Sequence, residues 1–571
     1  MMKLRFTIIL LLISINHCII AQTPIYDAAT IHHPIVAQNG MVATQHNEAT
    51  KVGVEILRKG GNAVDAAVAV GFSLAVVLPR AGNIGGGGFM LLHSEKENKT
   101  TSINYREMAP GASDKDMFLD ENGDVDNRAF NLSYNSAGVP GTVAGLAYAL
   151  EKYGTMSLEE VLQPAIRLAE DGFEMTYDFS RLLQSYENRL KACPETEKVF
   201  YKENNEYYQP GEIFKQPDLA WSLKQIAKNG AKAFYEGEIA KRVVEDMKEN
   251  GGIMRMEDFA NYQVEEAEPV WGKYRGYEIA SMPPPSSGGV HVVQMLNILE
   301  QYPLKYLGHN SAETLHFMAE AMKLAYADRS EHLGDPAFWD VPVEGLASKE
   351  YADDLREKVN RYSTTPSENI KPGNPVDYES NETTHFTVVD KAGNVVSNTY
   401  TLNFSYGNGI VAKGTGILLN NEMGDFSAKP GTPNAFGLIG GEANSIQPGK
   451  RPLSSMTPTL VFKNKKPYLA TGSPGGSRII TTVLQIILNV IDHDMNIAEA
   501  SHAVRIHHQW LPDVLYAEKG LSHDTKQLLA QKGHIILQRS VMGSTQSIML
   551  KDGYILGASD PRRPDGGTLG F

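Results

Sequence analysis

The chain has 571 residues, of which 42% are hydrophobic and 21% charged, a composition that can bury a large core in one α/β body or in several domains. Its formal net charge is −14, and no Lys/Arg-rich run exceeds a few residues. We therefore expect no nucleic-acid partner and no binding to an anionic membrane surface.

The first 21 residues have the pattern of an export signal. Lys3 and Arg5 precede an apolar run from Phe6 to Ile15, and Ile19-Ile20-Ala21 forms a cleavage site before Gln22. The apolar run is too short to span a bilayer stably. We expect residues 1–21 to be removed, leaving a mature protein that is not attached to a membrane.

Cysteine usage indicates the compartment. Cys18 suggests a lipoprotein, but Ile15-Asn16-His17 before it is a poor context for lipidation. Removal of the signal leaves Cys193 as the single cysteine, which excludes an intrachain disulfide in the mature chain. This pattern suits a bacterial periplasmic or secreted protein better than an ectodomain held together by disulfides.

The part up to residue 360 is predicted to be mostly helical. Residues 36–46 read as a short strand and turn, and the glycine-rich stretch 82–88 leads into a strand at 89–93. Because these glycines precede a strand and do not open a helix, close backbone packing explains them better than phosphate binding. Further strands are expected at 101–106 and 274–281, and helices at 47–59, 63–77, 142–153, 157–170, 218–227, 234–249 and 311–329.

The loop at 362–382, rich in Pro, Asn and Ser, is the one clear seam in the chain. Beyond it the pattern changes to strands, expected at 384–390, 395–403, 416–420, 458–463, 467–471, 514–518 and 547–557, with a helix at 478–491. Strands on both sides of the seam with helices outside them predict an α+β fold of stacked sheets sandwiched by helices.

A threonine pair, Thr383-Thr384, begins the strand that follows this seam. If the chain were cut before Thr383, that residue would present a hydroxyl and a free α-amine on one rigid element. An α-amine titrates near neutral pH and can act as the base for its own hydroxyl, which describes an activated N-terminal nucleophile. Taken alone, the stretch is more typical of an ordinary edge strand that begins with threonine.

Three further segments offer parts of an acyl-transfer site, each with a structural alternative. Gly475 and Gly476 precede a helix and could supply the N–H groups of an oxyanion hole or simply form a tight turn. The adjacent hydroxyls of Ser454 and Ser455 are also typical of a turn, and the acidic loop 420–425 suits either an ammonium group or solvent.

Three other features complete the list of candidates. Arg106 ends a predicted strand, where it forms either a surface ion pair or a fork for a substrate carboxylate. Residues 430–441 have glycines at both ends and Phe436 at the centre, the composition of an active-site lid. His507 and His508 are neighbours without a third ligand in sight, so we expect no metal site there.

Together these motifs resemble the γ-glutamyltranspeptidases, a family of N-terminal-nucleophile hydrolases. The likeness extends over nearly the whole mature chain, from Gly60-Gly61-Asn62 through Pro283-Pro284-Pro285 to Gly557-Ala558-Ser559-Asp560. The most specific motifs occur in the family's order and spacing, and they are Thr383-Thr384-His385, Pro452-Leu453-Ser454-Ser455-Met456 and Gly472-Ser473-Pro474-Gly475-Gly476.

The resemblance implies a four-layer αββα sandwich formed jointly by two subunits. Self-cleavage between Glu382 and Thr383 would give a large, helix-rich subunit of residues 22–382 and a small catalytic subunit of residues 383–571, which stay associated. It implies transfer of the γ-glutamyl group of glutathione and related compounds to water, amino acids or peptides, without a metal or another cofactor.

The resemblance also implies a role for each candidate residue. Thr383 would be the nucleophile, forming a γ-glutamyl ester, with its own α-amine as general base. The other roles are support of that hydroxyl by Thr401, an oxyanion hole from Gly475 and Gly476, α-carboxylate binding by Arg106, Ser454 and Ser455, and α-ammonium binding by Asn403, Glu422 and Asp425.

Two positions depart from many bacterial relatives. Glu422 stands where several carry Gln, and Phe436 stands where several carry Tyr in the lid. A glutamate still suits an ammonium group, whereas loss of the lid hydroxyl predicts a looser lid and an altered ratio of hydrolysis to transfer.

Three other functions fit part of the sequence. A related acylase that removes glutaryl groups from β-lactams needs no ammonium site, so Glu422 and Asp425 argue against it. The lid at 430–441 argues against a polyglutamate-processing relative. A secreted amino-acid-binding protein without catalysis would remain one intact chain.

Overall fold

Two seven-stranded β-sheets, packed face to face, form the centre of the fold. The computed structural model describes residues 30–203, 206–371, 382–429 and 441–571, and of Glu382 only the main chain. Residues Pro34–Phe571 form one compact unit, which contains all the helices and strands given below.

The strands in the described part of the chain are β1 Ile35–Ala37, β2 Gly40–Thr44, β3 Gly87–Ser94, β4 Lys99–Tyr105, β5 Phe173–Glu174, β6 Ile213–Phe214, β7 Glu265–Ala267, β8 Val270–Tyr274, β9 Tyr277–Ser281, β10 Glu382–Asp390, β11 Val395–Asn403, β12 Val411–Ala412, β13 Ile417–Leu418, β14 Thr459–Lys463, β15 Lys466–Thr471, β16 Ile506–His507, β17 Leu515–Glu518, β18 Ile536–Arg539, β19 Gln546–Lys551, β20 Tyr554–Ser559 and β21 Gly567–Gly570.

The helices in the described part are α1 Asn47–Arg58, α2 Ala63–Val77, α3 Asn127–Leu132, α4 Thr142–Tyr153, α5 Leu158–Glu170, α6 Tyr177–Ser185, α7 Glu187–Leu190, α8 Pro194–Phe200, α9 Pro217–Asn229, α10 Lys232–Tyr235, α11 Glu238–Glu249, α12 Met256–Ala260, α13 Gly288–Leu299, α14 Leu304–Leu307, α15 Ala312–His332, α16 Val343–Leu346, α17 Lys349–Glu357, α18 Arg478–Ile491, α19 Ile497–His502 and α20 His523–Gln531. None of them is long and apolar enough to cross a membrane.

Both large sheets are antiparallel throughout and draw strands from both sides of the seam. One has the order β1-β20-β19-β15-β14-β9-β8, and the other has the order β21-β2-β10-β11-β3-β4-β7. The hairpin β10–β11, which begins at the seam, is flanked by β2 and β3 and so lies inside its sheet. The interpretation of β10 as an edge strand is therefore wrong, although β2 pairs only with its second half, Thr387–Asp390.

Helices cover the outer face of each sheet, which confirms the predicted αββα sandwich. On one side α2, all of whose residues are buried, packs with α4, α5 and α9 against β3, β4, β10 and β11. On the other side α13, α15 and α18 pack against β9, β14, β15 and β19. Asn62 caps α2 by accepting hydrogen bonds from the N–H groups of Val64 and Asp65, as expected for a residue before a buried helix.

Alternation along β10 sends its side chains to two different cores. Phe386 and Val388 face the helices, whereas Val389 faces the other sheet together with Leu460 and Ile548. The same period of two places Thr383, His385 and Thr387 on the inter-sheet face. The space between the sheets is therefore apolar at one end of β10 and polar at the other.

Four predicted elements differ from the observed ones. The helix at 234–249 is broken at Gly237, where an added side chain would lie 2.6 Å from the Ala233 carbonyl oxygen. The strands at 274–281 and 547–557 are each part of a hairpin, turned at Arg275-Gly276 and Asp552-Gly553, because all four turn residues have positive φ. The strand at 416–420 shortens to β13, which pairs with β12 outside the large sheets.

Tight backbone packing explains the glycine-rich stretch, as predicted. Side chains at Gly85 and Gly86 would collide with the carbonyl groups of Leu418 and Thr401 respectively. These glycines let the main chain before β3 approach the end of β11, close to the residue that pairs with the start of β10.

Candidate active site

Thr383 is buried near the start of β10, and Glu382 precedes it as the first residue of that strand. Glu382 pairs with Asn403 but Thr384 pairs with Tyr400, so two steps along β10 correspond to three along β11. This β-bulge interrupts the regular ladder opposite Thr383. The bond proposed for cleavage therefore lies at an irregular point of an otherwise continuous strand.

Local hydrogen bonds fix the bulged end of β11. The Thr401 hydroxyl accepts a hydrogen bond from the Asn403 N–H (2.9 Å), and Asn403 has a φ of +72°, which is uncommon for a residue other than glycine. The Asn403 side-chain amide donates to the Asn421 carbonyl oxygen (2.9 Å), and the Thr401 carbonyl oxygen accepts from Asn83 Nδ2 (2.9 Å). The register thus places Thr401 and Asn403 across from Thr383 and holds them there.

Arg106 directly follows β4 and is fully buried, so the surface ion-pair interpretation is wrong. Its guanidinium binds the carboxylates of Glu422 and Asp425, and Nη1 lies 3.4 Å from Glu107 Oε2. Glu422 and Asp425 are the first and last residues of a buried one-turn 3₁₀ helix, so the solvated-turn alternative for this loop is wrong. The residues expected to bind opposite ends of a substrate therefore bind each other in this structure.

The cluster places one guanidinium among three buried carboxylates. Burial raises the pKa of Glu107 to about 7 and that of Glu422 well above its usual range, although Arg106 opposes both shifts. Burial also disfavours the charge on Arg106, but Glu422, Glu107 and Asp425 outweigh it and raise the pKa of Arg106. Among the described residues, Glu107 Oε1 and Glu422 Oε2 have no hydrogen-bond partner. Arg106 therefore does not balance three ionised carboxylates by itself, and a cationic group entering the cluster would favour the ionised forms of Glu107 and Glu422.

Ser454 and Ser455 lie in a buried loop held by the proline-rich turn at 283–287. The Ser454 N–H donates to the Pro285 carbonyl oxygen, and both the N–H and the hydroxyl of Ser287 donate to the Ser454 carbonyl oxygen, each at 2.8 Å. The motif Pro283–Ser287 thus acts as a cradle for the two serines. They are not free turn residues.

The serine loop is also tied to two arginines. Arg106 donates through Nε to the Pro452 carbonyl oxygen (3.2 Å) and through Nη2 to that of Leu453 (3.4 Å). Arg329, near the end of α15, donates through Nη2 to the Ser455 hydroxyl (3.0 Å). Arg329 was not among the predicted site residues, because its segment was predicted only as the end of a helix at 311–329.

Gly475 and Gly476 lie between β15 and α18 with φ values of +135° and +58°. Their carbonyl groups accept the first hydrogen bonds of α18, from Arg478 N–H (3.2 Å) and Ile479 N–H (2.9 Å). Within the described part of the chain, the N–H groups of the two glycines donate to no residue. The tight turn and the oxyanion-hole interpretations are therefore compatible.

The two remaining candidate features are the lid at 430–441 and the histidine pair His507-His508. Phe436 and the lid lie outside the described residues, so the lid remains a prediction. His507 binds Thr481 Oγ1 through Nδ1 (2.9 Å) and Gln509 Oε1 through Nε2 (3.0 Å), so both of its ring nitrogens have protein partners.

One group of potential metal ligands, His316, Glu320 and His534, occurs among the described residues. Lys323 Nζ lies 2.7 Å from Glu320 Oε1, so an ammonium group already neutralises that carboxylate. We assign no metal to it.

The comparison with known families decides the relationship of the chain. The family model for gamma-glutamyltranspeptidase matches residues 49–569. The chain belongs to the γ-glutamyltranspeptidase family. This confirms the resemblance inferred from the three motifs.

Individual relatives agree with that assignment. The glutathione hydrolase proenzyme of Escherichia coli (strain K12) is 53% identical over 542 residues, covering 95% of this chain and 93% of that protein. The cephalosporin acylase from Bacillus halodurans superposes with a TM-score of 0.85 at 28% identity, over 96% of this chain and 98% of that one. A chain of Helicobacter pylori γ-glutamyltranspeptidase is 46% identical with a TM-score of 0.57, and covers 57% of this chain and 94% of its own.

Proposed function

We propose that this γ-glutamyltranspeptidase is a self-cleaving enzyme that transfers the γ-glutamyl group of glutathione and related compounds to water, amino acids or peptides. The observation that carries the proposal is the buried cluster of Arg106 with Glu422 and Asp425 beside the serine loop. A γ-glutamyl group has an α-carboxylate and an α-ammonium, and the cluster offers partners for both charges.

In the proposed site, Arg106 and the hydroxyls of Ser454 and Ser455 bind the α-carboxylate, and Asn403, Glu422 and Asp425 bind the α-ammonium. Since Arg106 holds the two acids in the free protein, the entering carboxylate displaces them from the guanidinium and the entering ammonium receives them. With both charges fixed, the side-chain amide is the only carbonyl group of the γ-glutamyl group left to react.

The chemical steps follow from an N-terminal threonine. The α-amine of Thr383 takes the hydroxyl proton as the oxygen attacks the γ-carbonyl carbon, and Thr401 supports that hydroxyl. The N–H groups of Gly475 and Gly476 stabilise the resulting oxyanion. The intermediate collapses to a γ-glutamyl ester while the leaving amine takes the proton from the α-ammonium of Thr383. Water or an acceptor amine then cleaves the ester by the reverse steps, which need no metal or other cofactor.

We propose that the same hydroxyl cuts the chain between Glu382 and Thr383. The products, residues 22–382 and 383–571, remain associated as a heterodimer, because β10 and β11 of the small subunit lie between β2 and β3 of the large one. The name of the Escherichia coli relative, a proenzyme, supports this step. The export pattern of residues 1–21 supports a periplasmic or secreted location.

A glutaryl acylase is the second candidate, and the similarity to a cephalosporin acylase favours it. A glutaryl group lacks the ammonium, so its carboxylate would have to displace Glu422 or Asp425 from Arg106 without supplying a compensating cation. Removing one partner of a buried ion pair is costly. The charge of the cluster therefore favours the γ-glutamyl donor.

The test is the intact mass of the denatured wild-type protein beside Thr383→Ala, together with turnover of γ-glutamyl and glutaryl anilides. We expect two fragments, beginning at Gln22 and Thr383, in the wild type and one chain in the variant. We also expect turnover of the γ-glutamyl anilide only by the cut protein. An uncut, inactive wild type would leave a binding protein as the better explanation, whereas preference for the glutaryl anilide would favour the acylase.

A further inference from the structure

His385 is a buried residue to which the proposed mechanism gives no role. It lies two positions after Thr383 on the same face of β10, toward the other sheet. Its Nδ1 lies 2.8 Å from the Thr399 hydroxyl of β11, and its Nε2 lies 3.1 Å from the Thr387 hydroxyl. Both ring nitrogens therefore have hydrogen-bond partners, which fixes the ring about its side-chain torsions.

The hydrogen bonds determine which nitrogen carries the proton. The Thr387 hydroxyl donates its only hydrogen to the Gln546 carbonyl oxygen (2.7 Å), so its oxygen must accept from His385 Nε2–H. Nδ1 then carries the lone pair and accepts from the Thr399 hydroxyl. Burial lowers the pKa of His385 to about 3, which is consistent with a neutral imidazole at physiological pH.

The imidazole ring lies directly against Gly472, the first residue of the loop that carries Gly475 and Gly476. A Cβ atom at Gly472 would lie 2.5 Å from His385 Nδ1 and closer still to Cε1, so only glycine fits over the ring. The Gly472 carbonyl oxygen accepts from the Gln546 N–H (3.4 Å), and Gln546 accepts from Thr387. His385, Thr387, Gln546 and Gly472 thus form a closed set of contacts between the two sheets.

This set links the two parts of the proposed catalytic machinery by a short, rigid path. One residue separates Thr383 from His385 along the strand, and two residues separate Gly472 from Gly475. We propose that His385 is a positioning residue. Through its contact with Gly472 it sets the distance between the loop 472–477 and the Thr383 hydroxyl. The inference rests on the proposed function, because it takes Thr383 as nucleophile and the two glycines as the oxyanion hole.

The choice of histidine at this position follows from the same contacts. A phenyl ring has a similar shape but would leave the Thr399 hydroxyl and the Thr387 oxygen without their partners in a buried region. A glutamine could keep the donor to Thr387 but would lose the flat surface under Gly472. Only an imidazole supplies the two hydrogen bonds and the packing surface together.

The first test compares four processed proteins: wild type, Gly472→Ala, His385→Ala and the double variant. For each, kcat on a γ-glutamyl anilide, the affinity for glutamate and the affinity for a boronic acid analogue of the γ-glutamyl group are measured. Glutamate occupies only the charge cluster, whereas the boronate becomes tetrahedral on Thr383 and needs the oxyanion hole. Kinetic constants are referred to the cut fraction determined by intact mass.

Gly472→Ala should lower kcat and boronate affinity in parallel by about ten- to a hundredfold, less than the loss of a complete oxyanion donor. Its affinity for glutamate should change by less than twofold. Because removal of the ring makes room for the new methyl group, the double variant should retain at least the kcat of the poorer single variant. Losses in kcat that multiply in the double variant, or a parallel fall in glutamate affinity, would overturn the proposal.

The second test does not depend on processing or turnover. Nitrogen NMR of histidine-labelled wild-type protein, with the His385 signal assigned by loss in His385→Gln, reports the state of each ring nitrogen. We expect a protonated Nε2 and a bare Nδ1 with no change between about pH 6 and 8. Protonation in that range, or the opposite tautomer, contradicts the bonding scheme. If the wild type does not turn over the γ-glutamyl anilide, the proposed function itself has failed. If the wild type is active and the losses in kcat multiply in the double variant, only the role of His385 is refuted.

Discussion

The charge cluster makes Asp425→Asn the most informative substitution for substrate recognition. Asp425 is buried against Arg106, and in the proposed complex its carboxylate binds the substrate ammonium. A hydrogen bond to a charged group contributes about 1.5–3 kcal/mol, which corresponds to roughly ten- to 150-fold in kcat/KM. Glu422 remains as a second carboxylate, so we expect the lower half of that range for a γ-glutamyl anilide.

The same substitution should act differently on a substrate that lacks the ammonium. A glutaryl anilide has only the carboxylate, and Asp425→Asn releases Arg106 from one of its competing acids. We therefore expect kcat/KM for the glutaryl anilide to stay constant or rise, so that the preference for the γ-glutamyl anilide falls about tenfold or more. Initial rates on the two anilides measure this ratio directly.

The control is Glu442→Gln, which removes one negative charge from an exposed side chain beyond the cluster. It should leave the ratio of the two substrates within twofold of wild type. An equal loss on both anilides in Asp425→Asn would mean that Asp425 acts only through the folded structure. An unchanged ratio would mean that it does not bind the ammonium.

Two further predictions concern residues that the sequence analysis did not assign. Burial raises the folded-state pKa of Glu107 from 4.5 to about 7, so the protonated group stabilises the fold at low pH and this contribution is lost as pH rises through that window. The fall in stability between pH 5 and 8 should therefore be smaller in Glu107→Gln than in the wild type. Denaturant unfolding at pH 5 and 8 measures the difference, and an equal pH dependence in both proteins contradicts it. Arg329→Lys should lose a hydrogen bond to Ser455 or Ser287. We expect KM for γ-glutamyl donors to rise about three- to tenfold while kcat stays within twofold of wild type. A fall in kcat at constant KM contradicts this role.

Much of the fold could be predicted because local patterns and tertiary structure agree. The alternation in Thr383–Asp390 and the turn after it predict the hairpin β10–β11, and the small apolar residues of α2 predict a helix buried on most sides. The two missed hairpins had signals in the sequence: Asp552-Gly553 is a typical two-residue turn, and Arg275-Gly276 contains the glycine such turns need. They were missed because the strands predicted at 274–281 and 547–557 were extended through these turn residues.

The contacts within the site could not be predicted in the same way. Arg106, Glu422 and Ser455 lie on three segments far apart in the chain, and no periodicity relates them. The resemblance to a family named them, but not the fact that Arg106 holds the acids in the free protein. Glu107 had one usable signal, its position next to Arg106, whereas Arg329 had none beyond being a charged residue near the end of an apolar helix stripe.

The direct contact between Arg106 and its acids suggests how the proposed site would select its donor without a steric filter. A carboxylate alone that binds Arg106 would leave at least one acid buried without its cation, and such a charge is strongly unfavourable. A ligand with only an ammonium group would leave Arg106 paired with its acids. Such a ligand would gain only the attraction of the carboxylate charge that Arg106 does not balance. A group that carries both charges exchanges one set of ion pairs for another, so that every buried charge keeps a partner. Selection therefore comes as much from the cost imposed on singly charged competitors as from attraction of the zwitterion.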